Sequence, residues 1–458
     1  MGKYFGTDGF RGEAGIGLTA THAYKIGRFL GWWGRQKGKK MRVAIGKDTR
    51  LSCYMLEYAV SAGLVASGAD VYLLHVTTTP NICFTVALER FDMGVMISAS
   101  HNPYYDNGIK LIGKNGAKAD DALTDQIERY LEGDLAVLGV QDGDLPFATG
   151  TDIGRIVDHE AARIRYIQHL VSCVDREFHD FRIGLDCANG AASSIAPAVF
   201  TALGALVYPI HTKPNGTNIN TKAGALYVEG LVRHVRSNGL DVGFAFDGDA
   251  DRCIAVDATG EVVNGDGILY LLAKHLQGCE RLEKNTVVTT VMSNLGLYKA
   301  LTESGISYVK TAVGDRFVYE SMQQNGFVLG GEQVGHVILS QYATTGDGIL
   351  TALKIMEAMA CESKTLAELV APVSMLPQVT KNLSVTDKSV VCTSGAVIAA
   401  VEAVRERLGE NGRVLLRASG TEPVVRIMVE AKSEEICQRA VDEISIAVKE
   451  TGLCLSQA

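Results

Sequence analysis

Asp247, Asp249 and Asp251 alternate on a short loop, Asp247-Gly248-Asp249-Ala250-Asp251-Arg252, directly after the apolar run Val242–Phe246. Like charges this close repel unless a cation sits among them, and an all-oxygen donor set suits a hard ion such as Mg2+. An EF-hand opens with the same alternation, but Arg252 stands where that loop needs glycine and Ala258 where it needs glutamate. An acidic surface turn fits poorly, because the residues just before the triplet should be buried.

Three other segments carry reactive side chains. Residues 93–97 run into Ser98-Ala99-Ser100-His101-Asn102-Pro103 and on to Lys110. Ser100 therefore sits on a loop at a strand's end, where open α/β sheets hold ligands. The G-x-S-x-G elbow of a hydrolase is absent, and alone the segment reads as a turn satisfying its own backbone. Gly330-Gly331-Glu332-Gln333-Val334-Gly335-His336 is either a hydroxyl-binding loop, with Glu332 and His336 as partners, or a plain hairpin turn. Leu415 to Pro423, followed by Arg426, gathers Arg417, Ser419, Gly420 and Thr421, whose charge and donors suit a phosphate. A solvated turn with an ion pair to Glu422 is the plainer alternative. Residues 15–20 match GxGxxA, but no strand precedes them, so dinucleotide binding is not expected.

Such loops need rigid elements to aim them. Residues 41–46, 56–66 and 68–74 read as strand, helix and strand. The order recurs at 182–186, a helix through Val199, and 204–208. It recurs again at 286–290, a helix through Leu301, and 305–309. Each is a βαβ unit, and three copies predict three similar α/β domains with mixed sheets. The tail differs: helix at 393–408, strands at 413–417 and 424–429, and a long helix at 433–449 predict a smaller C-terminal α+β domain. Linkers are expected at 133–152, near Asp257, and at 372–384.

The chain has 458 residues, 47% of them apolar and 21% charged, a composition that excludes disorder as its main state. A net charge of −8 argues against a nucleic-acid binder working through a general basic field. No apolar run reaches the ~20 residues of a membrane span. Ten cysteines without a CxxC pair read as free thiols in a reducing compartment, so a cytoplasmic protein is expected.

With Phe5-Gly6-Thr7-Asp8-Gly9-Phe10-Arg11-Gly12 and Ser419-Gly420-Thr421-Glu422-Pro423, the four loops occur in the order seen in the α-D-phosphohexomutase superfamily, and the whole chain resembles it, most of all its bacterial glucosamine-type members. The resemblance implies four domains around a central cleft, divided here at 1–154, 155–255, 256–370 and 371–458. It implies a phosphoserine at Ser100, with Lys110, His101 and Arg11 as catalytic partners. Ser100, Asp247, Asp249 and Asp251 would hold one Mg2+ per chain. Arg252, Glu332, His336, Arg417, Ser419, Gly420, Thr421 and Arg426 would bind the substrate. The implied reaction interconverts glucosamine 6-phosphate and glucosamine 1-phosphate, with a sugar 1,6-bisphosphate as activator and intermediate, in amino-sugar biosynthesis. Lys110, beside a cation, is expected to lose its proton readily and act as base. The implied partner is a hexose phosphate, with a homodimer possible and no nucleic acid or membrane. A phosphomannomutase or phosphoglucomutase, and further off an aspartyl-phosphate phosphatase, are the alternatives. The family's usual Gly-Glu-x-Ser-Gly-His has Val334 at its serine, and a valine cannot hydrogen-bond a sugar hydroxyl. Ala418 stands where glucosamine-type members often carry proline.

Overall fold

The computed structural model describes residues 3–6, 8–139, 143–419 and 423–455. They form two compact units: residues 3–292 with 306–371, and 293–305 with 372–455. The expected α/β class with mixed sheets is what the chain adopts.

The first unit holds three sheets. A seven-stranded sheet runs in the spatial order Phe5–Gly6, Gly9–Glu13, Asp106–Gly113, Met93–Ile97, Arg42–Lys47, Asp70–Val76, Ile156–Asp158. Its centre is parallel, with Lys47 opposite Ile97, so both of those strands release their chains at the same sheet end. Two helices on one face, Ala20–Gln36 and Cys53–Ala66, touch backbone to backbone. A methyl group on Gly63 would lie 2.1 Å from the Tyr24 carbonyl oxygen, so only glycine permits this approach. The face beneath is closed by Phe29, Leu30, Val43, Ile45, Val60 and Val95, none with any exposure. Burying each such side chain contributes about 2 kcal/mol. Trp32 joins this core and Trp33 packs against it.

A five-stranded sheet follows, in the order Val262–Val263, Cys253–Asp257, Val242–Phe246, Arg182–Asp186, Leu206–Ile210. The apolar run Val242–Phe246 is a fully buried central strand, parallel to Arg182–Asp186. The expected linker near Asp257 is instead a hairpin: Cys253–Asp257 pairs with Val242–Phe246 and turns back at Gly260. This sheet therefore runs past residue 255, and the first sheet past residue 154. Four strands, Ser307–Thr311, Thr286–Thr290, Leu329–Gly331 and Val337–Leu339, make the third sheet.

The second unit is a three-stranded antiparallel sheet, Gln378–Ser384, Val424–Glu430, Arg413–Ala418, covered by the helices Gly395–Leu408 and Glu434–Glu450. Part of the expected linker at 372–384 is thus an edge strand. The helix Leu295–Glu303 belongs to this unit. Its N-cap Asn294 exchanges hydrogen bonds with Leu376, and its Leu295 N–H donates to the Glu430 carboxylate. The expected helix at 393–408 begins at Gly395, after an extended Ser394 that ends a short helix, Lys388–Thr393.

All ten cysteines are free, and six are buried. Burial pushes the Cys83 thiol up to about 12. Among the described residues no helix is long and apolar enough to cross a membrane.

Candidate active site

Two parallel strands of the first sheet and one strand of the second carry the reactive loops at their ends. Arg42–Lys47 delivers Asp48 and Arg50, Met93–Ile97 delivers Ser98 and Ser100, and Val242–Phe246 delivers the aspartate triplet. Ser100 is almost fully buried and left-handed, with φ of 52°. Its hydroxyl donates to Asp247 Oδ2 at 2.5 Å and lies 3.4 Å from His101 Nδ1. The serine and the triplet, 147 positions apart, are thus brought together as expected.

Asp247, Asp249 and Asp251 each turn a carboxylate oxygen into one buried spot, within 4.8 Å of one another. Asp249 Oδ2 accepts from Thr79 Oγ1 at 2.6 Å and Lys110 Nζ at 2.8 Å. Asp249 Oδ1, although buried, accepts no hydrogen bond. Asp251 Oδ1 accepts none either; its nearest cationic groups are His336 Nδ1 at 3.7 Å and Arg252 Nε at 3.9 Å. A buried carboxylate oxygen left without a donor is strongly disfavoured, and a hard cation relieves it. The residues therefore fit Mg2+.

Electrostatics set the resting protonation. Burial, then the neighbouring Asp251 and Asp249 carboxylates, push Asp247 well above the usual carboxylate range. Burial also works against the Asp251 carboxylate, but Lys110, His336 and Arg252 outweigh it and hold it well below that range. Burial, with Arg252 and Arg11 nearby, holds His101 down at about 4, so this imidazole is neutral at neutral pH. Lys110 is governed by the carboxylates around it. Burial lowers its affinity for the proton, but Asp249, Asp8 and Asp251 more than offset this, and the ammonium is held well above its usual value. Its Nζ lies 2.8 Å from Asp249, 3.3 Å from Asp8 and 3.5 Å from Asp251. These three carboxylates hold the proton on Lys110.

Arg11 pairs with Asp8 beside Lys110. The Arg252 backbone N–H donates to Asp247 Oδ1 at 3.2 Å. The third sheet contributes the Glu332 turn, between the antiparallel strands Leu329–Gly331 and Val337–Leu339. The hairpin reading of this segment is therefore right about the backbone, yet the turn also carries His336 to Asp251. The Gly346 nitrogen lies 3.0 Å from His336 Nε2, and the ring's Nδ1 faces Asp251 at 3.7 Å. Burial raises the Glu332 carboxyl, which accepts from Gly314 N–H at 3.1 Å. Val334 lies at the tip of the turn, 43% exposed.

In the second unit Arg417 and Arg426 are direct cross-strand partners. Burial and then Arg426 lower Arg417. Like charges opposed in this way destabilise a strand pair unless an anion lies over them. The Ser419 carbonyl accepts from Lys388 Nζ at 2.6 Å. Gly420 and Thr421 lie outside the described residues.

Several participants were not singled out from the sequence. Asp48, Arg50, Ser98 and Asn220 surround Ser100, Thr79 supports Asp249, and Asp8 braces Lys110. Lys118 joins Asp8 to Asp315, at 2.8 Å from each. A cavity of about 270 Å³ adjoins Lys110 and Lys118, with Ile112, Tyr319 and Ile338 among its apolar lining. Only the spacing of Asp48 and Arg50 from the end of an apolar strand marked them in sequence.

Four family models match the chain in succession: phosphoglucomutase/phosphomannomutase alpha/beta/alpha domain I over residues 2–136, domain II over 164–260, domain III over 264–375, and the C-terminal domain over 381–447. The chain belongs to this phosphohexomutase family, as the sequence resemblance implied. It is 55% identical over 454 residues to the phosphoglucosamine mutase of Lachnospira eligens, covering 99% of each chain. It is 51% identical over 452 residues to the phosphoglucosamine mutase of Lachnoclostridium phytofermentans, again covering 99% of each. A phosphoglucomutase/phosphomannomutase family protein from Burkholderia thailandensis shares the fold, with a TM-score of 0.78 at 24% identity over 99% of this chain and 98% of that one.

Proposed function

We infer that this chain is an isomerase that interconverts glucosamine 6-phosphate and glucosamine 1-phosphate in the cytoplasm, through a phosphoserine at Ser100 and a sugar bisphosphate. The observation that carries the reading is the buried Ser100 hydroxyl, bonded to Asp247 within a triplet whose Asp249 and Asp251 each retain a carboxylate oxygen without a hydrogen bond. Full-length identity to two phosphoglucosamine mutases supports the choice of sugar.

Phosphoryl transfer asks mainly for positioning and for neutral surroundings at the moving oxygens. Asp247, Asp249 and Asp251, with an oxygen on Ser100, would hold Mg2+, which offsets the charge of the phosphoryl group. The chain's own residues supply the rest. Arg11 and Lys110 face the same oxygens, and Lys110 is assigned the proton exchange with the sugar hydroxyl. His101, neutral, can accept a hydrogen bond beside Ser100 without adding charge. Glu332 and His336 meet sugar hydroxyls, while Arg417, Ser419, Gly420, Thr421 and Arg426 hold the phosphate that does not react. Arg252 reinforces the metal loop and meets substrate anions there. The phosphatase alternative makes Asp247 the nucleophile, but Asp247 is already engaged by the Ser100 hydroxyl and the Arg252 N–H.

Turnover of glucosamine, glucose and mannose 6-phosphates by one preparation tests the sugar assignment. The expected order places glucosamine first by at least about tenfold in kcat/KM, the range one lost polar contact produces. Equal or better turnover of glucose or mannose phosphate would transfer the assignment to those sugars. Val334→Ser is expected to favour one sugar over the others, and an equal response from all three would place Val334 outside sugar recognition.

A further inference from the structure

Ser100 is held in its left-handed conformation by its own carbonyl, from two directions. Arg50, with no exposure, is fixed by Asp48 through Nε to Oδ2 at 2.9 Å, and its Nη2 donates to the Ser100 carbonyl at 2.9 Å. From a different domain segment, the Asn220 side-chain amide donates to the same carbonyl at 2.8 Å and to the Asn102 carbonyl at 3.1 Å. Asn220 is 6% exposed and is itself left-handed, with φ of 58°; its backbone N–H is tied to the Ala188 carbonyl at 2.9 Å. A third element closes the cage. A methyl group on Gly248 would lie 2.5 Å from the Ser100 carbonyl oxygen and 3.0 Å from Asn220 Nδ2. Ser98 completes it, accepting the Ser100 N–H at 2.9 Å and donating to Asp48 at 2.7 Å.

A serine prefers negative φ. Relaxing to it would swing the Ser100 carbonyl off both donors and turn the hydroxyl away from Asp247. We propose that Asn220, together with Arg50, is a positioning residue for the phosphoryl-transfer step: its amide locks the Ser100 backbone so that the hydroxyl stays aimed at the carboxylate cluster. The inference rests on the mutase reading above. It also assigns a task to the loop 211–222, which that reading leaves unused. Asn220 reaches Ser100 only through backbone carbonyls, so its effect belongs to the rate of transfer and not to substrate affinity.

Two variants separate the amide from the backbone. Asn220→Gly keeps a residue that accepts positive φ and deletes the amide. Asn220→Asp keeps size and left-handed tolerance but replaces the donor with an acceptor facing two carbonyls. Both are expected to lower kcat by about 10- to 100-fold, the scale of a slightly misplaced reacting group, with KM for the sugar phosphate unchanged within about twofold. Rephosphorylation of dephosphorylated enzyme by a hexose 1,6-bisphosphate should slow in step. Asn220→Asp should be slower than Asn220→Gly. Thermal midpoints are measured alongside, and rates are referred to folded protein. If both variants keep the wild-type kcat, or if only the midpoint falls, or if neither folds, Asn220 supports stability alone and the proposal is overturned. Wild type run in parallel distinguishes the two levels: a wild type that shows no exchange and no phosphate on Ser100 overturns the mutase reading itself.

Discussion

Ser100→Ala is expected to lower mutase turnover by about four to six orders of magnitude, the scale seen when an enzyme loses its nucleophile. The fold should survive. The lost interaction is one hydrogen bond to Asp247, worth about 1 kcal/mol, and the carbonyl contacts from Arg50 and Asn220 do not involve the hydroxyl. A companion, Ser100→Gly, should be equally inactive yet more stable than Ser100→Ala by about 1 kcal/mol, because φ of 52° burdens alanine and not glycine. Steady-state assays and thermal unfolding of both variants check this. Residual turnover within tenfold of wild type in either would remove Ser100 from the chemistry.

The second large effect concerns the triplet. Asp249→Asn is expected to cut turnover by about two orders of magnitude, comparable with removing one group that stabilises transition-state charge. Without added metal the variant should be no less stable than wild type. Its amide oxygen can still accept from Thr79 and Lys110, and one of several crowded negative charges is gone. The rise in thermal midpoint that Mg2+ gives wild type should shrink or vanish. Titrating Mg2+ against both rate and midpoint measures this. An unchanged titration in the variant would mean that the ion sits elsewhere.

These effects pair opposite signs at one place. Three carboxylates gathered in a buried spot weaken the resting fold, and the same crowding gives a divalent ion its hold. Lys110 belongs to that balance: its ammonium neutralises part of the cluster, which explains why its surroundings favour the proton rather than strip it. The reading from sequence weighed a bound cation, and the carboxylates around Lys110 act in the opposite direction.

What could be read in advance followed from locality. The Asp247–Asp251 pattern abuts its own strand, so spacing and apolar context revealed both position and chemistry. Ser100 was different. Its orientation depends on Arg50 and Asn220, 50 and 120 positions away, and on a left-handed φ that no short-range pattern marks in serine. Only the family resemblance pointed to it. The misplaced linkers have a similar cause. Cys253–Asp257 follows so closely on the acidic loop that its apolar run read as loop, although it pairs along its full length with Val242–Phe246. Gln378–Ser384 is an edge strand with no buried residue, so its polar composition mimics a linker. The helix in the second βαβ unit is only Ala196–Ala202, because Pro197 restricts it to starting there.

The central claim is that phosphorus passes through one serine oxygen. Intact mass before and after phosphatase treatment, with the modified residue mapped by fragmentation, tests it without assuming a substrate. The account predicts a single phosphate on Ser100, removed by phosphatase and restored by a hexose 1,6-bisphosphate together with activity. Phosphate found on Asp247, or full turnover by protein that never carries phosphate on Ser100, would contradict it.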